Sequence, residues 1–166
     1  MSKNIVAIIE EQTKIMLYNM RTAILTCDMD YILCGMPIWK HVYHTLHSCD
    51  QWFINPTDNF IEPEFHKPGL NSLDIPNAQA LSKETLLEYL SKIEKKLITF
   101  FNELTDEKLV VQPDGCEFSN LKLMIGQMRH FNVHLGNINA TTIITTHRWP
   151  RVAGLRDSLD GSLYEE

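Results

Sequence analysis

Hydrophobic residues recur at helical spacing in the first third of the chain and predict two α-helices there. The first covers residues 3–26, which contain neither Gly nor Pro. The second covers residues 37–54, because Pro37 suits the first turn of a helix and Pro56 follows its end. A break that begins at Asp28 and Asp30 and runs to Gly35 separates them. The apolar stripe of the first helix consists of Ile5, Ile8, Ile9, Met16, Met20 and Ala23.

The second half of the chain predicts two further helices. Ser82 suits the N-cap of a third helix over residues 83–104. Ser119 suits the N-cap of a fourth helix that reaches at least Asn139. Residues 141–146 are rich in β-branched side chains, so we expect the end of this helix to fray.

The connection between the second and third helices, residues 55–81, is unusually long for a compact domain and rich in proline. Its aromatic residues Phe60 and Phe65 favour packing over disorder. It is therefore predicted to be an ordered loop that either crosses the end of a helical bundle or forms part of a pocket wall.

The helices together predict an all-α fold, because no stretch alternates long enough to build a sheet. Four helices joined by longer loops indicate a four-helix bundle. A chain of 166 residues suits one domain, which we assign to residues 1–150. The tail 151–166 is expected to be partly ordered, since Trp149 before it suggests packing.

Composition and charge narrow the possible classes of protein. The hydrophobic fraction of 44% and charged fraction of 22% are ordinary for a globular domain. A net charge of -6 and a pI near 5.6 argue against nucleic-acid binding. No segment approaches the roughly 20 apolar residues of a membrane span, and the N-terminus does not resemble a signal peptide.

These features predict a cytoplasmic protein without membrane contact. The four cysteines show no C-x-x-C spacing and are interpreted as reduced thiols. A disulfide between Cys27 and Cys34 stays open.

The histidines are the residues that indicate chemistry. His130 and His134 lie four positions apart, so on a helix both rings project from one face and can chelate a single metal ion. Such a pair is also common by chance. The polar residues Gln127 and Asn137 share this face and could orient a ring or a ligand.

A metal site needs a third ligand, and the second helix offers His41, His44 and His47. The helical wheel places the apolar arc of this helix closer to His47 than to His44. From the wheel alone, His47 is the better candidate.

Two segments resemble the DinB-like superfamily, which includes the YfiT-type thiol transferases. They are H-V-Y-H-T-L-H-S-C-D-Q-W-F and G-Q-M-R-H-F-N-V-H-L-G-N-I-N. The resemblance implies a four-helix bundle with one metal ion, held by a histidine on the second helix and an H-x-x-x-H pair on the last long helix. Counted back from Trp52, the family's register selects His44. Asn137 stands where the family has Gln.

The resemblance also implies a function. Three imidazoles leave a coordination position open on zinc or nickel, which suits a hydrolase or a transferase of a low-molecular-weight thiol to a small molecule. Asp50, Tyr43 and Gln127 are candidate catalytic residues for proton transfer or orientation. The alternative is a non-catalytic metal-binding or ligand-sensing bundle. A hemerythrin-like di-iron site fits poorly, because Glu-x-x-His is absent.

The resemblance further implies a homodimer. The bulky residues of the second helix could cover a subunit interface, or they could all belong to the core. These residues are Trp39, Tyr43, Trp52 and Phe53.

Overall fold

The computed structural model describes residues 2–57, 60–76 and 79–165. This part of the chain is mostly helical, with four α-helices, one pair of short strands and a 3₁₀ turn at Asp106–Val110. The all-α prediction is thus confirmed in outline. The elements are α1 (Asn4–Thr26), β1 (Ile32–Leu33), β2 (Met36–Pro37), α2 (Ile38–Trp52), α3 (Lys83–Glu103) and α4 (Asn120–Thr146).

The helices share one hydrophobic core. α2 packs against α3 and α4, and α1 packs against the same two helices from the other side. Burial of apolar side chains drives this packing. The buried face of α3 follows the helical period with Leu86, Tyr89, Leu90, Ile93, Leu97 and Phe101. None of the helices in the described ranges is long and apolar enough to cross a bilayer.

The predicted stripe of α1 is partly wrong. Ile5 and Ile8 are exposed, whereas Val6 and Ile9 are buried at the start of the helix. The stripe is shifted because α1 faces both α3 and α4, and a run of adjacent apolar residues does not fix which of them face inward.

The start of α2 also differs from the prediction. Pro37 pairs with Ile32 in the strand pair and precedes α2 instead of forming its first turn. α4 continues beyond Asn139 to Thr146, and the fraying expected over residues 141–146 stays a prediction. The hydroxyls of Thr142 and Thr146 donate to carbonyls one turn earlier and so remain compatible with the helix. Ser119 is the N-cap residue of α4, but its side chain accepts no capping bond.

The start of α3 is as predicted. The hydroxyl oxygen of Ser82 accepts the backbone N–H of Thr85 at 3.2 Å, which satisfies one of the free donors at the helix N-terminus.

A β-hairpin occupies the predicted break between α1 and α2. Its two-residue turn consists of Cys34 and Gly35, whose φ angles of 50° and 81° suit a type I′ turn. The sequence analysis missed it because each strand has only two residues. Cys34 is exposed at this turn and Cys27 is buried, and both are free thiols, as are Cys49 and Cys116.

The N-terminus of α1 is capped from a distance. The carboxylate of Asp106 accepts the backbone N–H groups of Asn4, Ile5 and Val6 at 2.9–3.1 Å. It also accepts the Ser2 hydroxyl at 2.5 Å. The Ser2 hydroxyl and these backbone donors lower the pKa of Asp106. α1 has no acidic residue in its own first turn, and the 3₁₀ turn that comes after α3 supplies the capping carboxylate instead.

The C-terminal tail is attached to α1. The Asn19 amide donates to the carbonyl of Ala153 and accepts its N–H, and this pair is buried. Trp149, which was expected to pack, is 63% exposed. The tail is partly ordered, but the contact is made by Ala153 and not by Trp149. The domain boundary at residue 150 stays a prediction.

Three of the four bulky residues that were assigned to the second helix are buried within this chain. Trp39, Tyr43 and Phe53 are buried, and Trp52 is 40% exposed. These side chains therefore provide no argument for the homodimer, which stays a prediction.

Candidate metal centre

Three histidines of α2 point to three different partners. They are spaced three residues apart, and three residues of an α-helix turn by about 300°, so each ring is rotated by about 60° from the one before. His41 donates from Nε2 to the carbonyl of Leu33 in the hairpin at 3.0 Å. His44 faces α4, and His47 faces the loop between α2 and α3.

His44 meets the histidine pair of α4. Its Nε2 lies 3.3 Å from Nε2 of His130, and Nε2 of His134 lies 3.2 Å from the same atom. Candidate ligand atoms of all three side chains lie within 4.8 Å of one another. We call His44, His130 and His134 the triad site.

The spacing of these nitrogens fits a transition-metal ion. With Zn–N bonds of about 2.0–2.1 Å, a tetrahedral ion requires its nitrogen ligands to lie about 3.3–3.4 Å apart. The observed separations of 3.3 and 3.2 Å are close to this requirement. The three side chains are half-buried, so the centre remains within reach of solvent.

The hydrogen bond of one ring, His44, points to the same interpretation. His44 donates from Nδ1 to the backbone carbonyl of Asn71 at 2.7 Å, which leaves the lone pair on its Nε2. The Nδ1 atoms of His130 and His134 are buried without a partner among the described residues. Without a metal ion, at most one proton, on Nε2 of His130, could form hydrogen bonds to the other two Nε2 atoms. A metal ion would accept the lone pairs of all three nitrogens.

Burial keeps these imidazoles neutral. Loss of solvent is the main cause that lowers the pKa of His44, His130 and His134. Repulsion from His44 adds to it for His130 and His134. For His44 the bond to the Asn71 carbonyl opposes the shift. For His134 the pKa falls from 6.5 to about 4. Neutral imidazole is the form that binds metal, so protons do not compete for the site near pH 7.

Gln127 supports the triad site from one turn away. Its Oε1 accepts the hydroxyl of Ser48 at 3.1 Å, which joins α4 to α2 beside the contact between His44 and His130. Gln127 contacts Ser48, and His130 contacts His44. The contacts therefore advance along α4 while they go back along α2, so the two helices run antiparallel. Asn137 was expected to orient a ring, but it is exposed and shows no side-chain hydrogen bond within the described residues.

Asp50 lies on the wall of a separate cleft. Its carboxylate accepts the Tyr89 hydroxyl at 2.8 Å and Lys96 Nζ at 2.6 Å. The cleft has a volume of about 360 Å³ and lies where α2, α3 and the loop meet. Its described lining, which contains no triad histidine, is Asp50, Phe60, Ile61, Pro63, Tyr89, Lys92, Ile93 and Lys96.

Tyr43 is directed to the loop and not to the triad site. It is fully buried, and its hydroxyl lies 2.7 Å from Nδ1 of His66. Burial, and next the charge of Glu62, raises the pKa of Tyr43. Proton transfer by Asp50, Tyr43 or Gln127 stays a prediction.

His47 is the histidine that the helical wheel favoured, and it is indeed buried. Its Nε2 donates to Glu62 in the loop at 2.7 Å, so it belongs to a second cluster with Glu62 and His66. The sequence analysis did not single out these two loop residues. A signal was available in the segment E-P-E-F-H, which places an acid and a histidine four residues apart, but only the folded loop brings them to α2.

Comparisons of the chain with protein-family models, with curated proteins and with solved structures give no match. The resemblance to the DinB-like superfamily therefore depends on the two histidine-containing segments.

Proposed function

We propose that this chain is a DinB-like four-helix bundle that binds zinc or nickel at the triad site and acts on a small molecule. The observation that carries the proposal is the convergence of three imidazoles, in which Nε2 of His130 lies from Nε2 of His44 and of His134 at the spacing a metal ion requires. The favoured activity is transfer of a low-molecular-weight thiol to an electrophile, with hydrolysis as the related possibility.

A zinc or nickel ion held by His44, His130 and His134 would supply an electrophilic centre that lowers the pKa of a thiol or a water molecule. The chain itself supplies the orientation. The carbonyl of Asn71 fixes the tautomer of His44, and the bond between Ser48 and Gln127 links the two helices beside the site. Partial burial lowers the competition from water and protons.

One observation favours the alternative of a non-catalytic metal-binding or ligand-sensing protein. Each predicted proton-transfer residue already has a partner within the chain. Asp50 accepts from Tyr89 and Lys96, and Tyr43 contacts His66. A catalytic role would require these bonds to rearrange when a substrate binds.

Turnover assays of the metal-loaded protein test the two functions. Conjugation of monochlorobimane with bacillithiol or mycothiol is measured alongside hydrolysis of a p-nitrophenyl ester. We expect wild type to accelerate the conjugation only when zinc or nickel is bound, and His134→Ala to abolish it. His147→Asn is the matched control, because His147 is exposed and its left-handed backbone suits Asn.

Metal-loaded wild type that conjugates neither thiol and hydrolyses no ester would contradict the enzymatic proposal. It would leave the non-catalytic function as the account of the triad site.

A further inference from the structure

A second group of potential metal ligands lies on the next turn of α2. His47 Nε2 lies 2.7 Å from Oε2 of Glu62, and Nδ1 of His66 lies 3.5 Å from the same oxygen. We call His47, Glu62 and His66 the loop site. It shares no residue with the triad site, and its three ligand atoms also lie within 4.8 Å of one another.

The loop site joins a helix to an irregular segment. The side chain of His47 is 2% exposed and projects from α2, whereas Glu62 and His66 come from the loop between α2 and α3. His66 is 13% exposed and Glu62 is 46% exposed. The cluster is therefore buried on its helical side and open to solvent at the carboxylate, which gives an ion a way in.

The donor set suits a divalent transition metal. Two imidazoles and one carboxylate form a ligand set that zinc and its neighbours in the first transition row accept. Zinc bonds of about 2.0–2.2 Å require ligand atoms about 3.3–3.5 Å apart. The contact between His66 and Glu62 meets this requirement, and the shorter contact with His47 needs only a small outward shift of the half-exposed Glu62.

The surroundings can orient both rings. The side-chain amide of Asn71 lies 3.4 Å from Nδ1 of His47. With the amide turned over, its oxygen accepts the Nδ1 proton and leaves the Nε2 lone pair for a metal. The Tyr43 hydroxyl lies 2.7 Å from Nδ1 of His66, and its proton can rotate away when that nitrogen becomes a ligand.

Without an ion, the tautomer of His66 decides whether this arrangement is balanced. His47 gives its Nε2 proton to Glu62. If Tyr43 donates to Nδ1 of His66, the lone pairs of that nitrogen and of the carboxylate face each other at 3.5 Å. A cation between the three ligands replaces this repulsion with attraction.

We propose that His47, Glu62 and His66 form a second binding site for a divalent transition-metal ion, which fastens the loop to α2. The chain thus binds two ions, one at each of two neighbouring turns of this helix. The loop site does not depend on the triad site or on any enzymatic activity.

Zinc equivalents bound after gel filtration, measured by elemental analysis, test this proposal. Wild type is expected to retain two zinc ions per chain. Glu62→Gln removes the charge of an exposed ligand with little effect on folding, and we expect it to retain one. Glu64→Gln is the matched control, because Glu64 is exposed in the same loop two residues away, and it should retain two.

Further variants in the same experiment distinguish zinc bound at the triad site from zinc bound at the loop site. His130→Ala with His134→Ala should retain one ion, and His66→Gln should behave like Glu62→Gln. One zinc ion in wild type that is unaffected by Glu62→Gln and lost in the double α4 variant would overturn the loop site while the triad site stands. The reverse pattern would support the loop site and contradict the triad site.

Discussion

The triad site and the loop site occupy successive turns of α2, yet they are built in different ways. In the triad site, His44 meets two residues of a second helix, His130 and His134. In the loop site, His47 meets two residues of an irregular segment. The helical period determines the relative positions of ligands on helices. The positions of loop ligands depend on everything that holds the loop against the core.

The loop has its own anchors. Lys40 is fully buried, and its Nζ donates to the carbonyls of Gly69 and Ile75. Phe65 packs edge-on against Tyr43 and Tyr89. These contacts hold the loop close to α2, and Asn71 lies between the two sites. Its carbonyl accepts from His44 and its side chain faces His47.

Loss of the α4 histidines should have the largest effect. His130→Ala with His134→Ala removes two ligands from the triad site and none from the loop site. We expect zinc affinity at the triad site to fall by at least about 100-fold, because the loss of a group that only orients a ligand already costs about 10- to 100-fold. Competition titration with a chromophoric chelator measures it. Unchanged tight binding of both ions in this variant would contradict the assignment of His130 and His134 as ligands of the triad site.

Asn71 contacts both sites, but Asn71→Ala should weaken metal binding at only one of them. It deletes the amide beside His47 but keeps the backbone carbonyl that His44 uses. We expect zinc at the loop site to bind about 10- to 100-fold more weakly, with the triad site unaffected. Asn71→Asp, which keeps an oxygen acceptor, should restore binding at the loop site. Equal weakening of both sites by Asn71→Ala in the same titration would contradict this assignment.

The difference between the sites also explains what the sequence could predict. The bounds of α1 and α3 agree with the helical pattern within one residue. The Ser82 cap of α3 and the absence of Gly and Pro from residues 3–26 are local signals. His130 and His134 followed from their spacing on one helix. His44 required the resemblance, since the helical wheel measures burial and His47 is the more buried of the two.

Other features depend on contacts that no local pattern contains. Glu62 and His66 join His47 only through the path of the loop, and Asp106 caps α1 across about a hundred residues of sequence. The hairpin turn at Cys34 was too short for a periodic signal. In each case either the contacting residues are distant in sequence, or the segment is too short to show a repeating pattern of apolar residues.

The acid sensitivity of the metal-free protein should reflect the burial of the triad site. The pKa of His134 is about 4 in the folded chain against an ordinary value of 6.5. The unfolded chain therefore binds more protons between these pH values. The stability associated with neutral His134 is complete above pH 6.5 and is lost as the pH falls towards 4.

Urea unfolding of chelator-treated protein at pH 7 and pH 5 measures this loss. His134→Gln should show a smaller decrease of the unfolding free energy between the two pH values than wild type, whereas His147→Asn should behave as wild type. Identical decreases in wild type and His134→Gln would show that His134 is not held neutral by the fold.

The smallest effect is expected outside both sites. Asp106→Asn weakens the cap of α1 and should lower Tm by roughly 2–4 °C, as for the loss of a helix cap in a chain of this size. It should leave both zinc equivalents in place. Glu117→Gln, at an exposed position, is the control for charge. Differential scanning calorimetry measures the shift, and loss of a zinc ion in Asp106→Asn would show that metal binding responds to general destabilisation.

X-ray absorption at the zinc edge tests the triad site most directly. The sample is Glu62→Gln with His66→Gln loaded with one zinc equivalent, so that the loop site does not contribute. The account predicts three imidazole nitrogens at about 2.0–2.1 Å, with the multiple-scattering pattern of histidine rings. A spectrum with sulfur ligands, or with fewer than three imidazoles, would contradict the assignment of His44, His130 and His134 as a metal centre.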